Sequence, residues 1–269
     1  MIIALPIGPE DDKYIINKAY VDYVNSAGYD PMLVVPENDP KIIADLCDGL
    51  LLPGGKDIDP VYYGDDNWGS FWSDPEKDEF ERELLWAFAP TGKPVFGICR
   101  GFQLLAREYI FNNQDLALSN KSDETVKDRL VFGQHISDHS QTESFKIFRR
   151  NPSHFVVARD DLLYGCEEKM PNYISVNSMH HQYLHLNRSD DQLFKRTKVT
   201  PHMRITAWTS RGLDKEEAGV VCEGFIIKGW TPSILAGVQW HPEELMDIQL
   251  IQHFFGKRKS KAIVENVSA

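Results

Sequence analysis

Apolar positions fall along the first hundred residues in short unbroken runs, separated by stretches in which they recur every three or four residues. Runs at 2–5, 32–35, 49–52 and 95–98 are bounded by Gly or Pro and read as buried strands. Between them, residues 10–27 carry Tyr14, Ile15, Ala19, Val21 and Val24 at helical spacing, closed by Gly28. Asp39 and Pro40 supply an N-cap and a first-turn proline ahead of Ile42, Ile43, Ala44 and Leu46, and Asp74 caps a helix over 75–89. Strands alternating with helices imply a parallel sheet with right-handed crossovers.

Further along, 154–158 and 173–176 read as strands, and 204–209 with 219–228 as a hairpin turning near Gly212. A last strand is expected over 235–240 and a closing helix over 243–255, with Leu245, Ile248, Leu250, Ile251, Phe254 and Phe255 as its apolar side. Residues 57–72 and 111–150 show no period and read mostly as loop. No repeat and no Pro/Gly-rich linker breaks the chain, so 1–256 is expected to be a single domain and 257–269 a polar tail.

Composition narrows the function classes. The 269 residues are 42% hydrophobic and 26% charged, within the range of a globular domain. A formal net charge of -11 disfavours nucleic acid or an anionic membrane as partner. No apolar run approaches the roughly 18 residues needed to span a bilayer, and residues 1–5 are too short for a signal-peptide core. Cys47, Cys99, Cys166 and Cys222 lie far apart with no C-x-x-C, against a zinc knuckle or disulfide scaffold. A reduced, cytoplasmic setting is the expectation. His135 and His139 are four apart but lack a third ligand at a matching offset, so no metal site is expected there.

Candidate chemistry centres on residues 94–103. The strand 95–98 runs into Gly97-Ile98-Cys99-Arg100-Gly101, then into the helix-forming Gln103-Leu104-Leu105-Ala106. Strand, tight turn and helix with a thiol at the apex is the layout of a nucleophile elbow. Glycines on both sides of a strained apex let strand and helix approach closely. A structural Cys in an ordinary strand–helix turn is the competing reading of this stretch alone. The Gly54-Gly55 pair follows the strand 49–52, where open α/β sheets bind ligands. No G-x-G-x-x-G or G-K-[ST] accompanies it, which removes the dinucleotide and phosphate-loop readings. The backbone N–H groups of Gly55 and Arg100 could then form an oxyanion hole, with a plain turn as the alternative.

Trp240-His241-Pro242-Glu243 supplies a second piece. Residues two apart in an extended segment share a face, so His241 and Glu243 can lie side by side. A Cys nucleophile needs a base, and the base needs a carboxylate to orient it. Cys99, His241 and Glu243 supply all three, in an order unlike that of α/β-hydrolases. The pair His180-His181 beside the strand ending near Val176 either lines a site or caps the strand.

Five stretches together resemble class I glutamine amidotransferases, and within them the peptidase C26 group, of the γ-glutamyl-γ-aminobutyrate hydrolase type. They are Leu52-Pro53-Gly54-Gly55-Lys56-Asp57-Ile58; Lys77-Asp78-Glu79-Phe80-Glu81; residues 95–103; Val176-Asn177-Ser178-Met179-His180-His181-Gln182; and Gly237-Val238-Gln239-Trp240-His241-Pro242-Glu243. The resemblance implies an α/β fold: an open, mostly parallel, flavodoxin-like sheet flanked by helices, with a β-hairpin extension. It implies hydrolysis of a γ-glutamyl amide through a thioester on Cys99, with His241 as base, Glu243 orienting it, and Gly55 and Arg100 holding the oxyanion. Gly54, Gln103, Ser178 and His180 are the implied substrate contacts. The implied partner is a small γ-glutamyl substrate, with a separate synthase subunit as the alternative and a homodimer left open; no cofactor is implied. Asn112 and Asn113 stand where relatives carry a Gly pair, and the hairpin near 215–219 is longer than the pattern.

Overall fold

A computed structural model of the chain describes residues 1–64, 66, 73–112, 130–133, 154–167, 171–180, 182–210 and 219–256. The strands of the first half are β1 (Ile2–Pro6), β2 (Gly8–Glu10), β3 (Lys13–Ile15), β4 (Asp30–Val34), β5 (Gly49–Leu52) and β6 (Val95–Ile98). Those of the second are β7 (Leu130–Gly133), β8 (His154–Arg159), β9 (Pro171–Val176), β10 (Tyr183–Leu186), β11 (Met203–Thr209), β12 (Val220–Ile227) and β13 (Leu235–Val238). The α-helices of the first half, among the described residues, are α1 (Lys18–Ser26), α2 (Pro40–Leu46), α3 (Pro75–Phe88) and α4 (Arg100–Asn112).

Among the described residues eleven strands form one sheet. Its parallel part runs β4-β1-β5-β6-β13, and an antiparallel part continues through β12, β11, β8 and β9, with β10 and β7 branching from β12. Strand side chains alternate between faces, and two cores result. Leu50 and Leu52 of β5 pack with Ile43 of α2, Leu84 of α3 and Phe102 of α4. Leu51 faces the other way, with Ile3 and Leu5 of β1, Tyr20 and Val24 of α1, and Leu250 and Phe255 near the C-terminus. Covered on both faces, β5, β6 and β13 have no exposed position. The strand–helix alternation therefore places the ends of β5, β6 and β13 side by side, which positions the site.

Three expectations are corrected. The helix expected over 10–27 begins only at Lys18, capped by Asn17; ahead of it β2 and β3 form a separate two-stranded hairpin. A left-handed Asp11 (φ 53°) turns the chain between them, which helical spacing of apolar residues could not register. The closing helix is two pieces, Pro242–Leu245 and Ile248–Phe255. A left-handed Met246 (φ 52°) ends the first, and Asp247 caps the second by accepting the Leu250 N–H. The antiparallel extension exceeds the single expected hairpin, since β7 and β10 fall in stretches without clear alternation. His135, His139, His181, the turn near Gly212 and the tail 257–269 lie outside the described residues. Among the described residues no helix is long and apolar enough to cross a membrane.

Candidate active site

Cys99 stands between β6 and α4 with φ 51°, a left-handed conformation that a non-glycine residue holds only under constraint from its surroundings. Its N–H donates to the Val238 carbonyl at 2.9 Å, and its carbonyl accepts the Gln103 N–H at 3.1 Å, tying the apex to β13 and to α4. The flanking glycines are sterically required. A Cβ on Gly101 would lie 2.3 Å from the Leu52 carbonyl oxygen, and one on Gly97 would lie 2.5 Å from the Gly101 carbonyl. Gly101→Ala is expected to destabilise the fold by roughly 1–3 kcal/mol or more, because rigid backbone must move. A thermal or urea midpoint within error of wild type would contradict this packing.

His241 follows β13 and is fixed by its own backbone. Its N–H donates to Asn177 Oδ1 at 2.9 Å, and Asn177 Nδ2 donates back to the His241 carbonyl at 3.1 Å. His241 Nδ1 lies 2.6 Å from Glu243 Oε1, so the other ring nitrogen is left for the Cys99 thiol, which lines the same cavity. Burial opposes a charge on the imidazole; the Glu243 carboxylate and the Cys99 sulfur outweigh it and hold the His241 pKa well above the usual histidine range. Cys99, His241 and Glu243 thus come together on one sheet rim, with Glu243 and Cys99 almost wholly buried.

The Gly54-Gly55 loop runs directly over these groups. A Cβ on Gly54 would meet His241 Cε1 at 2.9 Å and Cys99 Cβ at 3.4 Å. The Gly54 N–H donates to the Tyr20 hydroxyl at 2.8 Å, whereas the Gly55 and Arg100 N–H groups have no acceptor among the described residues. The Arg100 side chain turns away from the thiol and ion-pairs with Asp78 and Glu81 of α3, all three buried. A cavity of about 440 Å³ opens here, lined by Gly54, Gly55, Cys99, Arg100, His241 and Glu243, by Pro9 and Ile15 of the hairpin, and by Lys77 and Met179.

Gly54 lines that cavity, but Gln103, Ser178 and His180 do not; they are buried behind its wall. Gln103 Nε2 donates to the Gln182 carbonyl and to Gln239 Oε1, both at 3.1 Å. Gln239 Nε2 in turn donates to Cys99 Sγ at 3.6 Å, so Gln103 reaches the thiol through Gln239. His180 Nδ1 meets the Gln182 carbonyl at 2.8 Å, and its Nε2 lies 3.9 Å from Glu223. Tyr20, Asn177, Gln239 and Lys77 are the site-forming side chains that sequence reasoning missed. Asn177, Gln239 and Lys77 sit inside the quoted stretches, which was their available signal; Tyr20, in an ordinary amphipathic helix, had none.

The architecture is that of class I glutamine amidotransferase domains. The glutaminase domain of Trypanosoma brucei CTPS, solved with bound acivicin, superposes with a TM-score of 0.52 at 14% identity, covering 96% of this chain and 94% of that one. A chain of PurLQS from Thermotoga maritima gives a TM-score of 0.50 at 12% identity, covering 94% and 98%. The chain belongs to the peptidase C26 family, whose sequence profile matches residues 8–243. Protein NtpR of Enterococcus hirae is 29% identical over 231 residues, 84% of this chain and 80% of its own length. The γ-glutamyl-γ-aminobutyrate hydrolase of Escherichia coli O157:H7 is 26% identical over 211 residues, 76% of this chain and 68% of its own. The protein is accordingly a glutamine amidotransferase-like hydrolase.

Proposed function

We propose that the protein hydrolyses the γ-amide bond of γ-glutamyl amines through a γ-glutamyl thioester on Cys99. The observation that supports this most is the row of thiol, imidazole and carboxylate on the cavity floor, with His241 2.6 Å from Glu243. Cys99 Sγ attacks the γ-carbonyl carbon as its proton passes to His241. The Gly55 and Arg100 N–H groups take the charge that forms on the carbonyl oxygen. The C–N bond breaks, and the leaving amine takes the proton from His241. Water then gives a proton to His241 and adds to the thioester; glutamate leaves and the thiol recovers its proton.

The similarity to a γ-glutamyl-γ-aminobutyrate hydrolase supports a stand-alone enzyme. The fold shared with a glutaminase domain of CTPS favours a second reading, a glutaminase subunit feeding ammonia to a separate synthase. A panel of glutamine and γ-glutamyl amines, assayed for released glutamate, separates them. The first reading predicts turnover of γ-glutamyl amines by the purified chain. Activity confined to glutamine, and weak, would move the assignment to the second; no release from any member would remove both.

The His241–Glu243 pair carries its own test. The folded pKa of His241 is raised, so the proton is held more tightly in the folded chain than in the unfolded one. The stabilisation is complete below the unfolded value of about 6.5 and is lost as pH rises through the folded value. Glu243→Gln should therefore lower the His241 midpoint, read from its ring protons by NMR. The stability gap between wild type and Glu243→Gln should narrow toward alkaline pH. An unchanged midpoint would show that Glu243 does not govern the imidazole.

A further inference from the structure

We propose that Lys77, with Asp74 beside it, binds the α-amino-acid end of the γ-glutamyl substrate, Lys77 taking the α-carboxylate and Asp74 the α-ammonium. The inference rests on the γ-glutamyl reading above and takes its contacts from the cavity lining, to which Gln103, Ser178 and His180 do not belong.

Lys77 is an unusual cation. Its side chain is 13% exposed, and its remaining surface lines the cavity that holds Cys99. Its Nζ has one ion-pair partner among the described residues, Glu81 at 3.7 Å, beyond hydrogen-bond range. Glu81 is itself engaged by Arg100, so the ammonium keeps its donors for something in the cavity. Desolvating a lysine without hydrogen bonds is costly unless a ligand completes the site.

The backbone makes room for this side chain at two separate places. A Cβ on Gly8, in the hairpin, would lie 2.8 Å from Lys77 Cδ, and one on Gly55 would lie 3.2 Å from Lys77 Nζ. The lysine thus threads between the hairpin and the loop over Cys99 and delivers its charge beside Gly55. Asp74 caps α3, with one carboxylate oxygen accepting the Lys77 N–H at 3.2 Å, and it also lines the cavity. A cation and an anion within one helical turn suit a zwitterionic α-carbon. A neutral acyl group would offer neither charge a partner in the cavity.

The test compares γ-glutamyl para-nitroanilide with its α-carboxamide analogue, in wild type and Lys77→Met. Wild type should show a KM roughly 10- to 100-fold higher for the carboxamide, the value of one charge-assisted contact. Lys77→Met should raise KM for the carboxylate substrate by a similar factor and leave the carboxamide nearly unaffected, so that discrimination falls to about one. Calorimetry of free glutamate against its α-carboxamide, on Cys99→Ala with and without Lys77→Met, reads the same preference without turnover. Absence of turnover with preferential glutamate binding would overturn the hydrolase reading and leave the subsite standing. Equal binding of the two ligands by chains with intact Lys77 would overturn the subsite, whether or not Lys77→Met folds. So would a Lys77→Met enzyme that loses kcat on both substrates while still discriminating, because that pattern belongs to a lysine stabilising the oxyanion.

Discussion

Cys99→Ala is expected to reduce glutamate release from γ-glutamyl amides by about 10⁴-fold or more, while leaving the fold intact. Removing the nucleophile deletes the covalent route entirely, and what survives comes from the oxyanion donors and substrate positioning alone. The substitution removes a single sulfur at a 5% exposed site and leaves the backbone contacts to Val238 and Gln103 in place. Circular dichroism and the urea midpoint should stay close to wild type. Residual activity within tenfold of wild type would show that chemistry occurs elsewhere, and an unfolded variant would make Cys99 a packing residue.

Arg100→Met should have the largest effect on stability. Arg100 joins Asp78 and Glu81 in a buried ion-paired group that fastens α3 to the elbow. Removing the guanidinium strands two carboxylates away from water, at a cost of about 3–5 kcal/mol in urea unfolding. Replacing the whole group should cost less: Arg100→Met with Asp78→Asn and Glu81→Gln removes both stranded carboxylates and gives up only the longer Lys77–Glu81 ion pair at 3.7 Å. If the single substitution proves as mild as the triple, the three-residue group contributes little to holding the elbow. The backbone N–H proposed for the oxyanion is untouched by either change, so activity per folded molecule should fall far less than with Cys99→Ala.

The contrast between these two residues shows what was legible in the chain. Cys99, Gly54-Gly55 and His241-Pro242-Glu243 were readable because each follows a short apolar run, and strand ends in a parallel sheet share one rim. Gly97 and Gly101 were readable because only a tight turn needs glycine at both places. Gln103, Ser178 and His180 are buried and stand outside the cavity lining, a placement that spacing could not show. A polar residue near a strand end can face the cavity or brace its wall, and spacing does not distinguish the two. Gln103 contacts Gln182 and Gln239, and His180 approaches Glu223 of the antiparallel part of the sheet. The β2–β3 hairpin was hidden for a related reason. Tyr14 and Ile15 fit a helical period, and the decisive feature was the positive φ of Asp11, which apolar spacing cannot encode. Lys77 lay in plain view as one of many helical lysines. Its significance appears only when Gly8 and Gly55 are seen to clear its path.

The account stands on a covalent intermediate at one sulfur. Acid-quenched reaction of the purified protein with a γ-glutamyl amide, followed by proteolysis and mass spectrometry, reads it directly. The account predicts a glutamyl adduct on the peptide that carries Cys99, absent from Cys99→Ala and lost on treatment with hydroxylamine. Steady consumption of substrate with that peptide unmodified, or an adduct on Cys166 in its place, would contradict it.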